Sequence, residues 1–199
     1  MLDRALAQTF RNFATLFFIC ALVTVPVSVA YAIVFQHEIG LRELHPQIEQ
    51  FPPLREVKGV SKSDLDRSRV VSGAIAVLEL ALVPLGLKAA RRVFDDAEEG
   101  GVTSVDRAWT AAFSKRYSWD PSAPGGGAGI VVTSAIVAVI AGFLLDRLGI
   151  LITEPLSPTY AFTVAGLATG AARAAAAPLF IGPVAYCCVR KKSIAPDAA

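Results

Sequence analysis

The sequence of 199 residues is poor in charge, and its few charges almost cancel. Only 18% of the residues are charged, and 19 basic residues against 17 acidic ones leave a net charge of +2. That balance excludes a nucleic-acid reader, which needs a strongly basic surface. The chain has just three cysteines, too few for a disulfide scaffold. In contrast, 54% of the residues are hydrophobic and the mean hydropathy is +0.52, which excludes disorder and indicates a protein that has lipid as its solvent.

Residues that carry chemistry are sparse as well. The two histidines are His37 and His45, and although His45 and Glu49 are four residues apart, they lack the tight ligand spacing of a zinc motif. The stretch DDAEE at 95–99 resembles the aspartate-rich motifs that bind magnesium diphosphate, but a solvated helix end is the favoured interpretation. The glycine run at 125–129 precedes no Lys-Ser/Thr pair, so it is not a phosphate cradle. We therefore expect no metal site, no cofactor and no enzyme activity.

Four long apolar runs dominate the chain. A helix needs roughly 20 apolar residues to cross the hydrocarbon core of a bilayer, and backbone groups inside it are satisfied only in a helix or a closed barrel. The runs predict membrane spans at 13–35, 70–90, 128–152 and 160–189. The predicted fold is an all-α membrane helix bundle in a single domain, 1–199.

The first run allows one alternative, a cleavable signal peptide, because residues 30–32 (AYA) resemble a cleavage site. The run continues without a charge to Phe35, which is longer than the apolar core of a signal peptide. A retained membrane helix is the better interpretation.

Basic residues set the predicted orientation. Eleven Lys and Arg lie in the segment before the first span, the second loop and the tail, and seven lie on the opposite side. By the positive-inside rule, both termini and the loop 91–127 should be cytoplasmic, and the loop 36–69 should face outward. The expected location is the cytoplasmic (inner) membrane of a bacterium.

Two segments have the spacing of amphipathic helices on a membrane surface. One is the lead at 2–12, and the other is 104–117, where Val105, Trp109 and Phe113 recur at intervals of four. Packing against the cytoplasmic end of the bundle explains the pattern equally well, because amphipathicity cannot tell protein from bilayer.

The helix boundaries resemble those of a known group. The segments are RNF at 11–13, KAARRVF at 88–94, SVDRAW at 104–109, PLF at 178–180 and AYCCVRKK at 185–192. In this order they resemble bacterial membrane proteins related to the membrane domain of glycerophosphoryl diester phosphodiesterases. The resemblance implies an integral-membrane module and does not imply an activity.

Glu79 and Arg173 are the two charges in the middle of predicted spans. A charge there costs about 2.5 to 3.5 kcal/mol on insertion scales unless it is paired or hydrated. Counted from Lys88 and Arg190 on ideal helices, the two lie about 12 Å apart in depth, so a direct pair needs a tilt or a break. A bridge from Glu79 to Arg173 or Arg147 is the favoured interpretation, and a proton or substrate pathway is the alternative.

Gly166 and Gly170 form a GxxxG motif in the last run, a spacing that lets two helix backbones approach closely. Packing inside the protein is favoured over homodimerisation, because the bundle already supplies neighbouring helices.

Three functions fit these patterns. The favoured one is a non-catalytic accessory or scaffold subunit that docks onto a membrane protein complex or forms a homo-oligomer within the lipid bilayer. The second is a small transporter or lipid-handling protein that uses Glu79 and Arg173. The third is a metal-dependent enzyme acting on lipid head groups through Asp95, Asp96 and Glu99.

Overall fold

The protein is described here from a computed structural model, which covers residues 2–34, 62–114, 116–120, 127–153 and 158–191. Most of the predicted outer loop, with both histidines, lies outside these residues, as do Gly125, Gly126 and the tail from residue 192. In chain order the elements are α1 Leu2–Arg11, α2 Phe13–Val34, α3 Lys62–Glu98, α4 Val105–Ala112, β1 Tyr117–Trp119, α5 Gly127–Thr153, α6 Pro158–Ala176, α7 Pro178–Cys188 and β2 Val189–Lys191.

Four helical segments are long and apolar enough to cross a membrane. They are Phe13–Ala32 in α2, Arg69–Glu98 in α3, Gly127–Gly149 in α5, and Gly166–Cys188, which runs through α6 and α7. The chain is therefore a membrane protein with the all-α helix bundle that its apolar runs predict.

The second span is longer than predicted, because α3 passes through Pro84 and continues to Glu98, where a turn at Gly100 ends it. Gly100 has a positive φ of 78°, a conformation that glycine adopts without strain. The amide of Gly100 donates to the carbonyl of Ala97 at 3.2 Å, and that of Gly101 donates to the carbonyl of Asp96 at 2.8 Å. These two bonds form a Schellman motif, which satisfies the last carbonyls of α3 and ends it.

The last apolar run is two helices and not one. Proline 178 has no amide hydrogen, and α6 ends at Ala176, while Ala177 keeps helical angles and α7 begins at Pro178. The interruption between the two helices is the single residue Ala177, whose amide still donates to the carbonyl of Arg173 at 2.9 Å. The kink predicted at Gly182 and Pro183 falls within α7 and stays a prediction.

A short antiparallel ladder closes one end of the bundle, which we call the ladder end. Tyr117 pairs with Lys191, and Trp119 pairs with Val189. The amide of Asp120 adds a bond to the carbonyl of Cys188 at 2.8 Å. The prediction that the surface helix reaches Tyr117 is wrong, because α4 stops at Ala112 and Tyr117 joins a strand.

The amphipathic helices α1 and α4 both pack on the ladder end. On α1, Ala5 and Thr9 are buried, and a side chain at Gly182 of α7 would overlap Thr9. On α4, Ala108 and Ala112 are buried, and the helix lies along α3. Each helix therefore uses one face for protein contacts. The large side chains buried here include Leu16, Ile19, Val93, Phe94, Val184 and Val189.

Candidate functional site

The two mid-span charges lie in direct contact. Nη1 of Arg173 donates a hydrogen bond to Oε1 of Glu79 at 3.1 Å, and the bond joins α3 to α6. The side chains keep 29% (Glu79) and 44% (Arg173) of their surface exposed, so the pair is reachable from outside the protein. Arg173 stands in the last turn of α6, which ends at Ala176.

The ion pair stands on the wall of an apolar cleft with a volume of about 460 Å³. This volume lies within the roughly 300 to 1,000 Å³ of small-molecule pockets. Glu79 and Arg173 are the charged residues among those that line it. The other lining residues come from six helices and the residue between α6 and α7: Ile19, Cys20, Val23 and Thr24 from α2, Leu82, Val83 and Gly86 from α3, Trp109 from α4, Ala135, Ala138, Val139 and Gly142 from α5, Ala176 from α6, Ala177, and Phe180 and Ile181 from α7.

Two facing helices form the sides of the cleft, and each presents one face to it. The lining positions on α3 begin at Glu79 and follow at intervals of three, four and seven residues, and those on α5 follow Ala135 at the same intervals. This spacing places residues on one helix face. On α5 three of the four residues are Ala or Gly, which leaves room between the walls. Among the described residues, α3 and α5 do not pack against each other along their length, so the cleft is open between them.

The floor of the cleft is the tightly packed contact between α2 and α6. A Cβ atom on Gly170 would come within 2.7 Å of Cα of Val25, and one on Gly166 would come within 2.9 Å of Cβ of Ala32. The hydroxyl of Thr24 donates to the carbonyl of Gly170 at 3.1 Å. The structure thus places the GxxxG motif against a helix of the same chain.

The three predicted membrane-surface residues of α4 have separate surroundings. Val105 packs against the buried core, while Phe113 is exposed. Trp109 lines the cleft, and its ring centroid lies 6.3 Å from that of Phe113. The indole nitrogen of Trp109 is buried and finds no hydrogen-bond partner within the described part of the chain. Trp109 therefore belongs to the cleft as much as to the membrane surface.

The acidic stretch at the end of α3 is only in part the solvated helix end that the sequence suggested, since Glu98 and Glu99 are exposed and the two aspartates are not. Asp95 and Asp96 are buried. Nη2 of Arg91 lies 2.7 Å from Oδ1 of Asp95, and Nη2 of Arg92 lies 2.7 Å from Oδ1 of Asp96. The hydroxyl of Thr103 donates to the other oxygen of Asp96 at 2.6 Å. The prediction failed for the aspartates because it ignored the arginines four residues earlier, which pair with both carboxylates along one helix.

This charged cluster is tied to the rest of the ladder end. Nη1 of Arg91 donates to the carbonyl of Tyr186 on α7 at 3.0 Å, and Tyr186 packs edge-on against Phe94. Burial, and then the charge of Asp95, raise the pKa of Tyr117 above its ordinary value. Each aspartate of the cluster pairs with an arginine, and within the described ranges no three His, Cys, Asp or Glu residues form a metal-binding group.

What the cleft offers a ligand is an apolar space with one polar spot. The guanidinium of Arg173 has N–H donors beyond the one bonded to Glu79, and the carboxylate of Glu79 has acceptor positions beyond the one bonded to Arg173. The spot therefore presents a donor and an acceptor side by side and has no net charge.

The cleft itself was not predicted from the sequence. The sequence feature that indicates it is the series of small residues at 135, 138 and 142 in the third span. Ala and Gly at intervals of three and four leave a groove on a helix face. No protein family, no curated protein and no solved structure matches this chain.

Proposed function

We propose that this protein binds a lipid of the surrounding bilayer in the cleft between α3 and α5. The observation that carries the proposal is the Glu79–Arg173 pair exposed on the wall of an otherwise apolar cleft. Ionisable residues inside membrane proteins are costly, and they mark substrate or ion pathways when they face a cavity. We infer a binding role, because Oε1 of Glu79 already accepts a hydrogen bond from Arg173. What the pair still offers a ligand are the remaining N–H donors of Arg173 and the remaining acceptor positions of Glu79.

A lipid is the occupant that the position of the cleft supports. The cleft opens between two spans that do not pack together, and the exposed side chains beside the opening are apolar, among them Leu78, Leu80, Ile136 and Val139. Apolar cavities stay dry, and hydrocarbon is what lies outside this one. A lipid chain therefore enters sideways without leaving an apolar environment.

Lipid retention tests this proposal. The protein is purified in phosphatidylcholine nanodiscs and transferred to a mild detergent, and native mass spectrometry counts the lipids that stay bound. The variant Ala138→Phe fills the cleft, and its matched control is Val137→Phe, the neighbouring exposed position outside the lining. We expect Ala138→Phe to lose at least about 90% of the retained lipid, a tenfold change that corresponds to about 1.4 kcal/mol.

The control should retain lipid as the wild type does. Equal retention by wild type and Ala138→Phe would contradict lipid binding in the cleft.

An accessory or scaffold role is the second candidate. One observation favours it: among the residues of α3 between 69 and 81 whose side chains the structure describes, all except Val71, Ile75 and Glu79 are exposed. Helix flanks of this kind suit a contact with another membrane protein or a second copy. Native purification from the source membrane tests it, since a partner at fixed stoichiometry is expected and elution as a lone monomer would contradict it.

We further propose that the protein resides in the cytoplasmic membrane of a bacterium with both termini in the cytoplasm. The support is the excess of basic residues on that side, eleven against seven. Labelling of single cysteines at Ser63 and Ser193 tests the orientation. We expect Ser63 to react from outside and Ser193 only after permeabilisation, and the reverse pattern would invert the topology. The relation to the phosphodiesterase membrane domain stays a prediction, and no functional argument depends on it.

A further inference from the structure

We propose that the cleft selects an uncharged lipid that carries a hydroxyl group, and that this hydroxyl is held between Arg173 and Glu79. This inference rests on the proposed lipid binding and names the chemical class of the lipid. It is argued from the charge of the cleft, from the hydrogen-bonding positions of the pair and from the depth at which the pair lies.

The charge of the cleft disfavours ionic ligands. The two charged residues of the lining, Glu79 and Arg173, neutralise each other at 3.1 Å. An anionic ligand would draw Arg173 away and leave the carboxylate of Glu79 unpaired in an apolar space, and a cationic ligand would do the same to Arg173. Breaking the pair by removing one partner is unfavourable, because the remaining charge then has no compensation in an apolar space. An uncharged ligand leaves the pair intact.

The hydrogen-bonding pattern selects among uncharged groups. Arg173 only donates, and the carboxylate of Glu79 only accepts. A hydroxyl both accepts and donates, so one oxygen atom is able to accept from Arg173 and donate to Glu79. An ester or ether oxygen only accepts and would use one partner. Bonds to ionised groups are also the stronger ones, which gives a hydroxyl a larger advantage here than at a neutral site.

The depth of Glu79 below the charged ladder end disfavours a phosphate head group. Glu79 lies nine residues before Lys88 on α3, which is about 14 Å along the axis at 1.5 Å per residue. Lys88 is followed by the charged cluster of the ladder end, which begins at Arg91. A phosphate head group stays at the membrane surface because its charge is costly to desolvate, whereas a single hydroxyl that keeps two hydrogen bonds enters the hydrocarbon far more easily.

A series of lipids with one chain and three head groups tests the inference. Nanodiscs of phosphatidylcholine receive equal amounts of oleyl alcohol, oleyl sulfate and oleyltrimethylammonium, and native mass spectrometry measures which of them remains on the protein after transfer to detergent. For the wild type we expect oleyl alcohol to exceed each charged lipid by about tenfold or more, the ratio that one hydrogen bond to a charged group accounts for.

Two variants should change this preference in opposite directions. Glu79→Gln leaves Arg173 uncompensated, so oleyl sulfate should become the preferred lipid. Arg173→Gln leaves Glu79 uncompensated, so oleyltrimethylammonium should become preferred. The matched control is Asp66→Asn, which removes an exposed carboxylate from the same helix outside the cleft, and it should keep the wild-type preference.

The wild-type measurement alone decides the inference if a variant fails to insert. Retention of the three lipids in equal amounts, or a wild-type preference for either charged lipid, would overturn the selection for a hydroxyl while leaving lipid binding in place. A preference that stays the same in Glu79→Gln and Arg173→Gln would overturn the role of the pair. If the wild type retains none of the three lipids and no phosphatidylcholine, the proposed function itself fails.

Discussion

One side of this bundle is closely packed and the other side is open. In an apolar window of 18 residues within the fourth span, through α6 and α7, 67% of the residues are buried inside the protein, compared with 12% in such a window of α3 and 11% in that of α5. Backbone contacts at Gly166 and Gly170 join α6 to α2, whereas α3 and α5 stand apart on either side of the cleft. The comparison indicates that contacts within the protein are concentrated on one side of the bundle, so substitutions there should cost more stability than substitutions on the open side.

Two ion pairs, one at the ladder end and one at the cleft, differ in exposure in the same way. The Arg91–Asp95 pair lies within one helix at the ladder end, and its side chains are 12% and 9% exposed. The Glu79–Arg173 pair joins two helices at the cleft and is far more exposed. Four predictions follow from this comparison, in order of expected size.

The largest effect is expected from Arg91→Ala. It leaves Asp95 buried without its partner and removes a donor from the carbonyl of Tyr186, so the free energy of unfolding should fall by about 3 to 5 kcal/mol. Unfolding in detergent micelles by titration with sodium dodecyl sulfate measures it. The matched control is Arg69→Ala, whose pair with Asp66 is over half exposed and should contribute under about 1 kcal/mol. Equal losses in the two variants would contradict the structural role of the buried pair.

The next effect is expected from Gly170→Leu on the packed side. The new side chain would meet the backbone of α2 at Val25, and such overpacking should cost about 3 kcal/mol in the free energy of unfolding. Gly73→Leu is the control on the open side, where a Cβ atom meets nothing within 4 Å. Replacing this helical glycine should change stability by at most about 1 kcal/mol in the favourable direction. If Gly73→Leu were the more harmful variant, the division into a packed and an open side would be wrong.

A smaller effect on stability is expected from Glu79→Gln. Hydrogen bonds between membrane helices are worth about 1 kcal/mol, because the separated helices also find partners, and the amide keeps the shape of the carboxylate. The same unfolding titration measures this change. A loss as large as that of Arg91→Ala would show that the cleft pair supports the fold as strongly as the ladder end does.

The smallest effect concerns pH and Tyr117. Because the pKa of Tyr117 is raised above 10.0 in the folded protein, the folded state binds this proton more tightly than the unfolded chain does. Stability is therefore present below pH 10 and falls as the pH rises from 10 through the raised pKa. Tyr117→Phe should lose stability less steeply above pH 10 than the wild type, and thermal denaturation at several pH values measures the two slopes. Identical slopes would show that Tyr117 ionises as freely in the fold as in the unfolded chain.

Apolar run length predicted the spans, because the hydrocarbon core demands helices of a certain length whatever packs around them. The same rule could not give the extent of α3, which continues past Lys88 through a charged stretch until Gly100 ends it. Nor could it place the break of the fourth run, since Pro178, Pro183 and Gly182 are all plausible sites and tertiary packing decides among them.

The site was only partly predictable. The free-energy cost of a charge inside a membrane span identified Glu79 and Arg173 from the sequence. The offset of about 12 Å in depth that ideal helices give did not predict their contact at 3.1 Å. The cleft depends on α3 and α5 standing apart, a feature of the whole bundle that no single run encodes. The pairing of Asp95 and Asp96 was available from their spacing to Arg91 and Arg92, whereas their burial depends on the packing of the ladder end.

The ladder between β1 and β2 also has a consequence for the order of assembly. It joins residues 117–119 to residues 189–191, so its first strand leaves the ribosome long before its second. The carbonyl that Arg91 binds belongs to Tyr186, which is synthesised equally late. Contacts so distant along the chain form slowly, because a long loop must close before they contribute. The charged cluster of the ladder end therefore stays incomplete while the first three spans enter the membrane. It is completed only when the last helix arrives, and that step gives the protein its final form.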